Sequence, residues 1–140
     1  MSITNSYHFI LVEDSVLDSY IGSKIIEGLG DLCKSYHSFL DPFEAFEYIE
    51  QRGAVPEKTI IFLDIQMPLM SGFEFVEKFE TQLSKSCQKY FVINILSSSI
   101  NEKDIIKAKS YSTVNQFMSK PLTKEMVLSI VNSIENDEKS

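Results

Sequence analysis

Five side chains of reactive type follow apolar runs in this sequence: the acid pair Glu13-Asp14, then Asp64, Ser97 and Lys120. Were these brought together, three carboxylates in a small space would repel. Their pKa values would rise unless a cation joined them. Hard oxygen ligands with room for water favour Mg²⁺ over zinc or copper. A carboxylate beside Mg²⁺ can attack phosphorus, while a lysine and a hydroxyl can hold phosphoryl oxygens. The chemistry expected of such a set is phosphoryl transfer onto a carboxylate.

The elements that must position these groups follow from pattern. Thr59 to Leu63 is a short run rich in β-branched and aromatic residues, too brief for a helix before Pro68. It reads as a strand buried on both faces, with Asp64 at its carboxyl end. Tyr7 to Val12 is a second such run ending in Glu13-Asp14, and Ser15 can cap the helix carrying Leu17, Ile21 and Ile25. Leu32 to Leu40 reads as a weaker strand before Asp41-Pro42-Phe43-Glu44, a helix start with a cap, an early proline and a Glu three residues after the cap. Ser71-Gly72-Phe73-Glu74 repeats that capping pattern and opens a helix with Phe75, Val76, Phe79 and Leu83 on one side. Tyr90 to Leu96 is a fourth strand ending in Ser97-Ser98-Ser99. Asn101 and Asp104 frame the next helix start, and Val114 to Met118 is a fifth strand. Ser119-Lys120-Pro121 leads to a last helix capped by Thr123.

Five strands alternating with five helices through short loops predict an α/β fold, a doubly wound five-stranded parallel sheet. In such a sheet all strands end at one edge, so the acids, Ser97 and Lys120 are expected to meet there. The expected organisation is an N-terminal extension over residues 1–6, one domain over 7–134 and a charged tail over 135–140.

Composition narrows the classes. The chain has 140 residues, 44% of them hydrophobic, and no run long enough to span a bilayer, so one folded domain and no membrane partner are expected. A net charge of -7 with scattered basic residues argues against nucleic-acid binding. No secretory signal is visible from Met1 to Tyr7, and a cytoplasmic location is expected. Cys33 and Cys87 form neither a zinc pattern nor a disulfide framework. His8 and His37 lie in strands away from the acidic edge and read as structural.

The acid pair after the first strand, Asp64 with Met67-Pro68 and Gly72 after the third, Ser97 after the fourth and Lys120-Pro121 after the fifth resemble the receiver domain of two-component response regulators. The resemblance spans about Tyr7 to Ile134 and implies the flavodoxin-like strand order 2-1-3-4-5. It implies that Asp64 accepts a phosphoryl group from a histidine kinase or phosphotransfer protein. By the same resemblance Asp14 is a direct Mg²⁺ ligand, Glu13 a ligand through water and Gln66 a ligand through its backbone carbonyl. Lys120 would bind phosphoryl oxygens, and Ser97 and Phe117 would be switch residues. No output domain is expected after Ile134, so a stand-alone type is expected whose signal leaves through contact with a downstream protein or onward phosphotransfer.

Each residue also has a plainer reading. Asp64 could cap a loop, Glu13-Asp14 could cap the first helix, Lys120 could be a solvated loop lysine, and Phe117 could be core. Capping needs one acid, and two precede Ser15. Two other classes compete with the main one: a receiver-like interaction module that is not phosphorylated, and an Mg²⁺-dependent phosphohydrolase. A hydrolase of the haloacid dehalogenase type wants a second Asp two residues after the first, and Gln66 stands there. A flavodoxin-like cofactor carrier would need a phosphate cradle after the first strand, where acids would repel a phosphate.

Overall fold

The structure is a computed structural model describing residues 5–139. Residues 1–4 of the expected N-terminal extension, and Ser140 of the expected tail, lie outside the described residues.

Among the described residues five strands, β1 (Tyr7–Val12), β2 (Cys33–Phe39), β3 (Thr59–Asp64), β4 (Phe91–Ser97) and β5 (Val114–Ser119), form one sheet. Their order is β2-β1-β3-β4-β5 and every neighbouring pair is parallel. Among the described residues six α-helices accompany them: α1 (Val16–Glu27), α2 (Pro42–Arg52), α3 (Gly72–Gln82), α4 (Lys85–Gln88), α5 (Glu102–Lys109) and α6 (Lys124–Lys139). The sheet order and doubly wound architecture agree with the sequence reading.

Alternation along the strands divides the core in two, because successive side chains point to opposite faces. Ile10 and Val12 of β1, Ile61 and Leu63 of β3, and Ile93 and Ile95 of β4 face one layer with Phe46, Ile49, Phe75, Val76 and Phe79 of α2 and α3. Phe9 and Leu11, Ile60 and Phe62, and Met118 face the other, with Ile26 of α1 and Val127, Ile130 and Val131 of α6. A strand buried on both faces is predominantly apolar, which is why β1 and β3 lack a regular polar alternation. β2, at the sheet's edge, is only partly buried along its length.

The predicted caps are present. Ser15 Oγ accepts from Asp18 N at 3.2 Å, Asp41 Oδ1 from Phe43 N at 2.8 Å, and Thr123 Oγ1 from Met126 N at 3.2 Å. Ser71 and Glu74 form the full reciprocal box, Glu74 N to Ser71 Oγ at 3.1 Å and Ser71 N to Glu74 Oε1 at 2.9 Å.

The helix count departs from the expected five. Ser84 Oγ accepts from Cys87 N and starts the four-residue α4. Gln88 then donates from Nε2 to the carbonyls of Glu80 and Leu83, at 3.0 and 2.7 Å. Those bonds close the end of α3, and a turn so short has no periodicity to read in sequence. The segment from Glu135, expected as a separate charged tail, continues α6 as far as Lys139.

Candidate functional site

The order β2-β1-β3 means that the chain leaves β1 to one side and returns on the other, opening a crevice between the ends of β1 and β3. Glu13 and Asp14 follow β1 and Asp64 ends β3, so the acids flank that crevice. Glu13 is tied to β2 through its backbone, donating N–H to the Phe39 carbonyl at 3.0 Å. Ile65 N donates to Leu96 O at 3.0 Å, and Lys120 N to Ser97 O at 2.8 Å. These bonds hold the strand ends level, so side chains distant in sequence share one edge.

Asp64 is 3% exposed and Glu13 1%, an unusual state for carboxylates. One ligand oxygen from each of Glu13, Asp14 and Asp64 lies within 4.8 Å of the others. The consequence is visible in the acidity of Asp64 and Asp14. Burial, then hydrogen bonding to Glu13 and its charge, pushes the Asp64 carboxyl up. Asp14 is pushed up by desolvation, then by its hydrogen bond to Asp64 and that residue's charge. Lys120 Nζ reaches in from the end of β5, 2.7 Å from Glu13 Oε1, 3.2 Å from Asp18 Oδ2 and 3.3 Å from Asp64 Oδ1. Burial alone would depress that amine, but the Glu13 hydrogen bond and the charges of Asp64 and Glu13, with Asp18 adding a further bond, hold it above its ordinary value.

An oxygen-only set of three carboxylates, in which the Asp64 and Asp14 carboxyls are pushed up, fits a hard divalent cation, because the cation relieves their mutual repulsion. Gln66 donates its backbone N–H to Asp64 Oδ1 at 3.2 Å, while its side chain points to solvent. That bond orients the carboxylate. Gly72 packs against the same turn: a Cβ there would lie 2.8 Å from Asp64 O and 2.9 Å from Ile65 Cα. The glycine is needed for this close backbone approach.

Ser97 is fully buried at the end of β4. Its hydroxyl donates to Ser99 O at 2.5 Å and accepts from Ser99 N at 3.2 Å, so it is engaged with its own loop. Phe117 is half-buried and packs at the margin of the α2/α3 core layer. With Ile100, Ile105, Ala108 and Val114 it lines a groove of about 370 Å³ between α5 and β5. His8 lies away from the acids, hydrogen-bonded to Ser35 Oγ at 2.6 Å and to Glu57 at 3.0 Å. His37 Nδ1 lies 3.2 Å from Tyr48 Oη. The Lys120-Pro121 peptide is cis.

Asp18 was missed in the sequence. Its only signal was its place in the first turn of the helix that follows the acid pair, where an acid ordinarily serves the helix end.

A doubly wound parallel sheet with an acid cluster, Glu13 and Asp64 buried and Asp14 exposed, and a lysine at its carboxyl edge defines a class of phosphoacceptor signalling domain. The chain belongs to the response regulator receiver domain family, whose model matches residues 9–132. It is similar in structure to a response regulator receiver protein from Dyadobacter fermentans DSM 18053, with TM-score 0.83 and 28% identity, covering 91% of this chain and 97% of that one. A two component response regulator from Cytophaga hutchinsonii shares the fold at TM-score 0.82 and 24% identity, covering 94% and 98%. In sequence, 134 residues are 27% identical to a protein described as Probable histidine kinase 2 from Oryza sativa subsp. indica. That match covers 91% of this chain and 13% of the rice protein. Among the described residues no helix is long and apolar enough to cross a membrane.

Proposed function

We propose that this chain accepts a phosphoryl group on Asp64 in an Mg²⁺-dependent transfer from a histidine kinase or phosphotransfer protein, and thereby switches a protein-binding surface. The observation that carries this reading is the buried Asp64 carboxylate, with the Lys120 ammonium 3.3 Å from its Oδ1 and the oxygens of Glu13 and Asp14 beside it. Asp14, Glu13 and Asp64 would hold the Mg²⁺, with the Gln66 carbonyl as a further donor. Bound there, the ion supplies positive charge to the phosphoryl oxygens.

The chain's own groups perform the rest. Asp64 offers the attacking oxygen, oriented by the Gln66 N–H. Lys120 lies close enough to turn from Asp64 to a phosphoryl oxygen, and Ser97 supplies a hydroxyl donor from the adjoining strand end. To make that contact Ser97 must leave Ser99. Its movement would alter packing toward the groove beside Phe117, which supports the α5 and β5 face as the surface read by a downstream protein.

A protein phosphodonor is supported by exposed apolar side chains on segments that adjoin the strand ends: Val16, Leu17 and Tyr20 in the first turns of α1, Leu69 after β3 and Ile100 after β4. Large apolar groups clustered around a polar centre suit a docking partner. The likeness to part of a rice histidine kinase supports the same class of donor.

Incubation with Mg²⁺ and acetyl phosphate, followed by intact mass measurement, tests the proposal. Wild type should gain one labile phosphoryl group, and Asp64→Asn none, because an amide is a far weaker nucleophile and carries no charge. An adduct of undiminished yield in Asp64→Asn would remove Asp64 from the role.

A further inference from the structure

The Lys120 ammonium has three N–H donors and three carboxylates around it, two of which, Glu13 and Asp64, belong to the acid cluster. The third, Asp18, comes from a helix. Asp18 is the third residue of α1, where a carboxylate ordinarily turns back to the N–H of the capping residue. α3 shows that arrangement, with Glu74 accepting from Ser71 N at 2.9 Å. In α1 the arrangement is broken. Ser15 N donates to Glu13 Oε2 at 3.3 Å, and the Asp18 carboxylate reaches across to Lys120 at 3.2 Å.

Its backbone stays fixed, since Asp18 N is held by Ser15 Oγ. The Asp18 side chain is 36% exposed, against 12% for Lys120, so it sits at the solvent-facing side of a mostly buried amine. An anion in that place draws the ammonium outward and competes for its charge.

We infer that Asp18 is a positioning residue that restrains Lys120 and withholds part of its positive charge from a phosphoryl group on Asp64, setting how tightly that group is gripped. The inference rests on the proposed phosphoacceptor role. When a phosphoryl group occupies Asp64, the ammonium, now paired by charge with Asp64 Oδ1 at 3.3 Å, turns an N–H to a phosphoryl oxygen. Glu13 and Asp18 keep the other two, and only Asp18, partly exposed where Glu13 is buried, can lose its partner to water at small cost. Replacing it by Asn leaves an amide oxygen to accept from Lys120 but removes the competing charge.

The test uses beryllofluoride with Mg²⁺ as the phosphoryl analogue and measures its affinity in four proteins. Relative to wild type, Asp18→Asn should bind about threefold to tenfold more tightly at low salt, the range expected for one screened charge near the ammonium. The gain should shrink as ionic strength rises. Asp18→Glu, which keeps the charge, should stay near wild type. Glu27→Gln removes an exposed charge at the far end of the same helix and should also stay near wild type. Equal tightening in Asp18→Asn and Glu27→Gln would reduce the effect to net charge and overturn the inference. So would an Asp18→Asn affinity that is unchanged or weaker. Failure of wild type itself to bind beryllofluoride with Mg²⁺ would instead sink the phosphoacceptor reading on which the inference stands.

Discussion

Replacing Gly72 by Ala adds one methyl group at the point where α3 meets the turn after β3. An ideal Cβ there would stand 2.8 Å from Asp64 O and 2.9 Å from Ile65 Cα, both backbone atoms. Neither can swing aside, so relief requires α3 or the Asp64 turn to shift by several tenths of an ångström. Over-packing of this kind costs about 1–3 kcal/mol. The higher helix propensity of Ala returns at most about 1 kcal/mol. Two backbone contacts under 3.0 Å put the over-packing cost in its upper half, about 2–3 kcal/mol, so the net expectation is a loss of roughly 1–2 kcal/mol. At an unfolding entropy of about 2.1 cal/mol/K per residue, that lowers Tm by roughly 3–7 °C for a chain of this length.

Gly22→Ala is the matched comparison. Its Cβ would meet Leu11 Cδ2 at 2.7 Å, but the other Leu11 atoms lie at 3.8 Å. A terminal methyl can rotate away, and the mid-helix propensity gain of about 1 kcal/mol offsets what strain remains. Urea unfolding of both variants should show Gly72→Ala clearly below wild type and Gly22→Ala close to it. Because the displaced atoms include the Asp64 carbonyl, Gly72→Ala should also take up phosphoryl groups more slowly. Equal stabilities for the two variants would refute the argument from backbone approach.

Two further outcomes are expected. Asp64 has its folded-state pKa raised by burial first and then by Glu13, so the folded chain binds that proton more tightly than the unfolded chain does. Its contribution to stability is fully present below the unfolded value near about 4 and is lost as pH rises through the higher folded value. Without divalent cations, wild type should therefore gain stability relative to Asp64→Asn as pH falls from 7 towards 4; a difference that moves the other way in paired urea titrations contradicts the stated environment. Ser97→Ala should keep the fold and accept phosphoryl groups, yet uncouple phosphorylation from α5 and β5, since the hydroxyl now bound to Ser99 is the one that must move. Hydrogen exchange with and without beryllofluoride should show changed protection there in wild type only, and equal changes in both proteins would remove Ser97 from the switch.

Local patterns carried most of the architecture. Short apolar runs ending in acids, hydroxyls or lysine read as strands with functional ends, because a doubly buried strand is predominantly apolar and polar groups collect where it ends. Caps at Ser15, Asp41, Ser71, Asn101 and Thr123 were legible because capping is a relation between residues two or three apart. Glu13, Asp14, Asp64, Ser97 and Lys120 could be singled out for the same reason: each stands where an apolar run stops.

What the sequence could not decide was the partner of each charge. Asp18 looks like an ordinary first-turn acid until β5 brings Lys120 against α1, and only then is its carboxylate diverted from the helix end. The α4 turn depended on Gln88 meeting the open carbonyls at the end of α3. Asn94 sits wholly buried in β4, where its amide donates to Ile61 O at 3.3 Å and its oxygen accepts from Asn115 Nδ2 at 3.0 Å, a bridge among three strands. The Gln88 bonds span five and eight positions and the others tens, and no local periodicity encodes any of them. Sequence set which groups stand at the strand ends, whereas the packing of helices against the sheet decided which carboxylates share one ammonium.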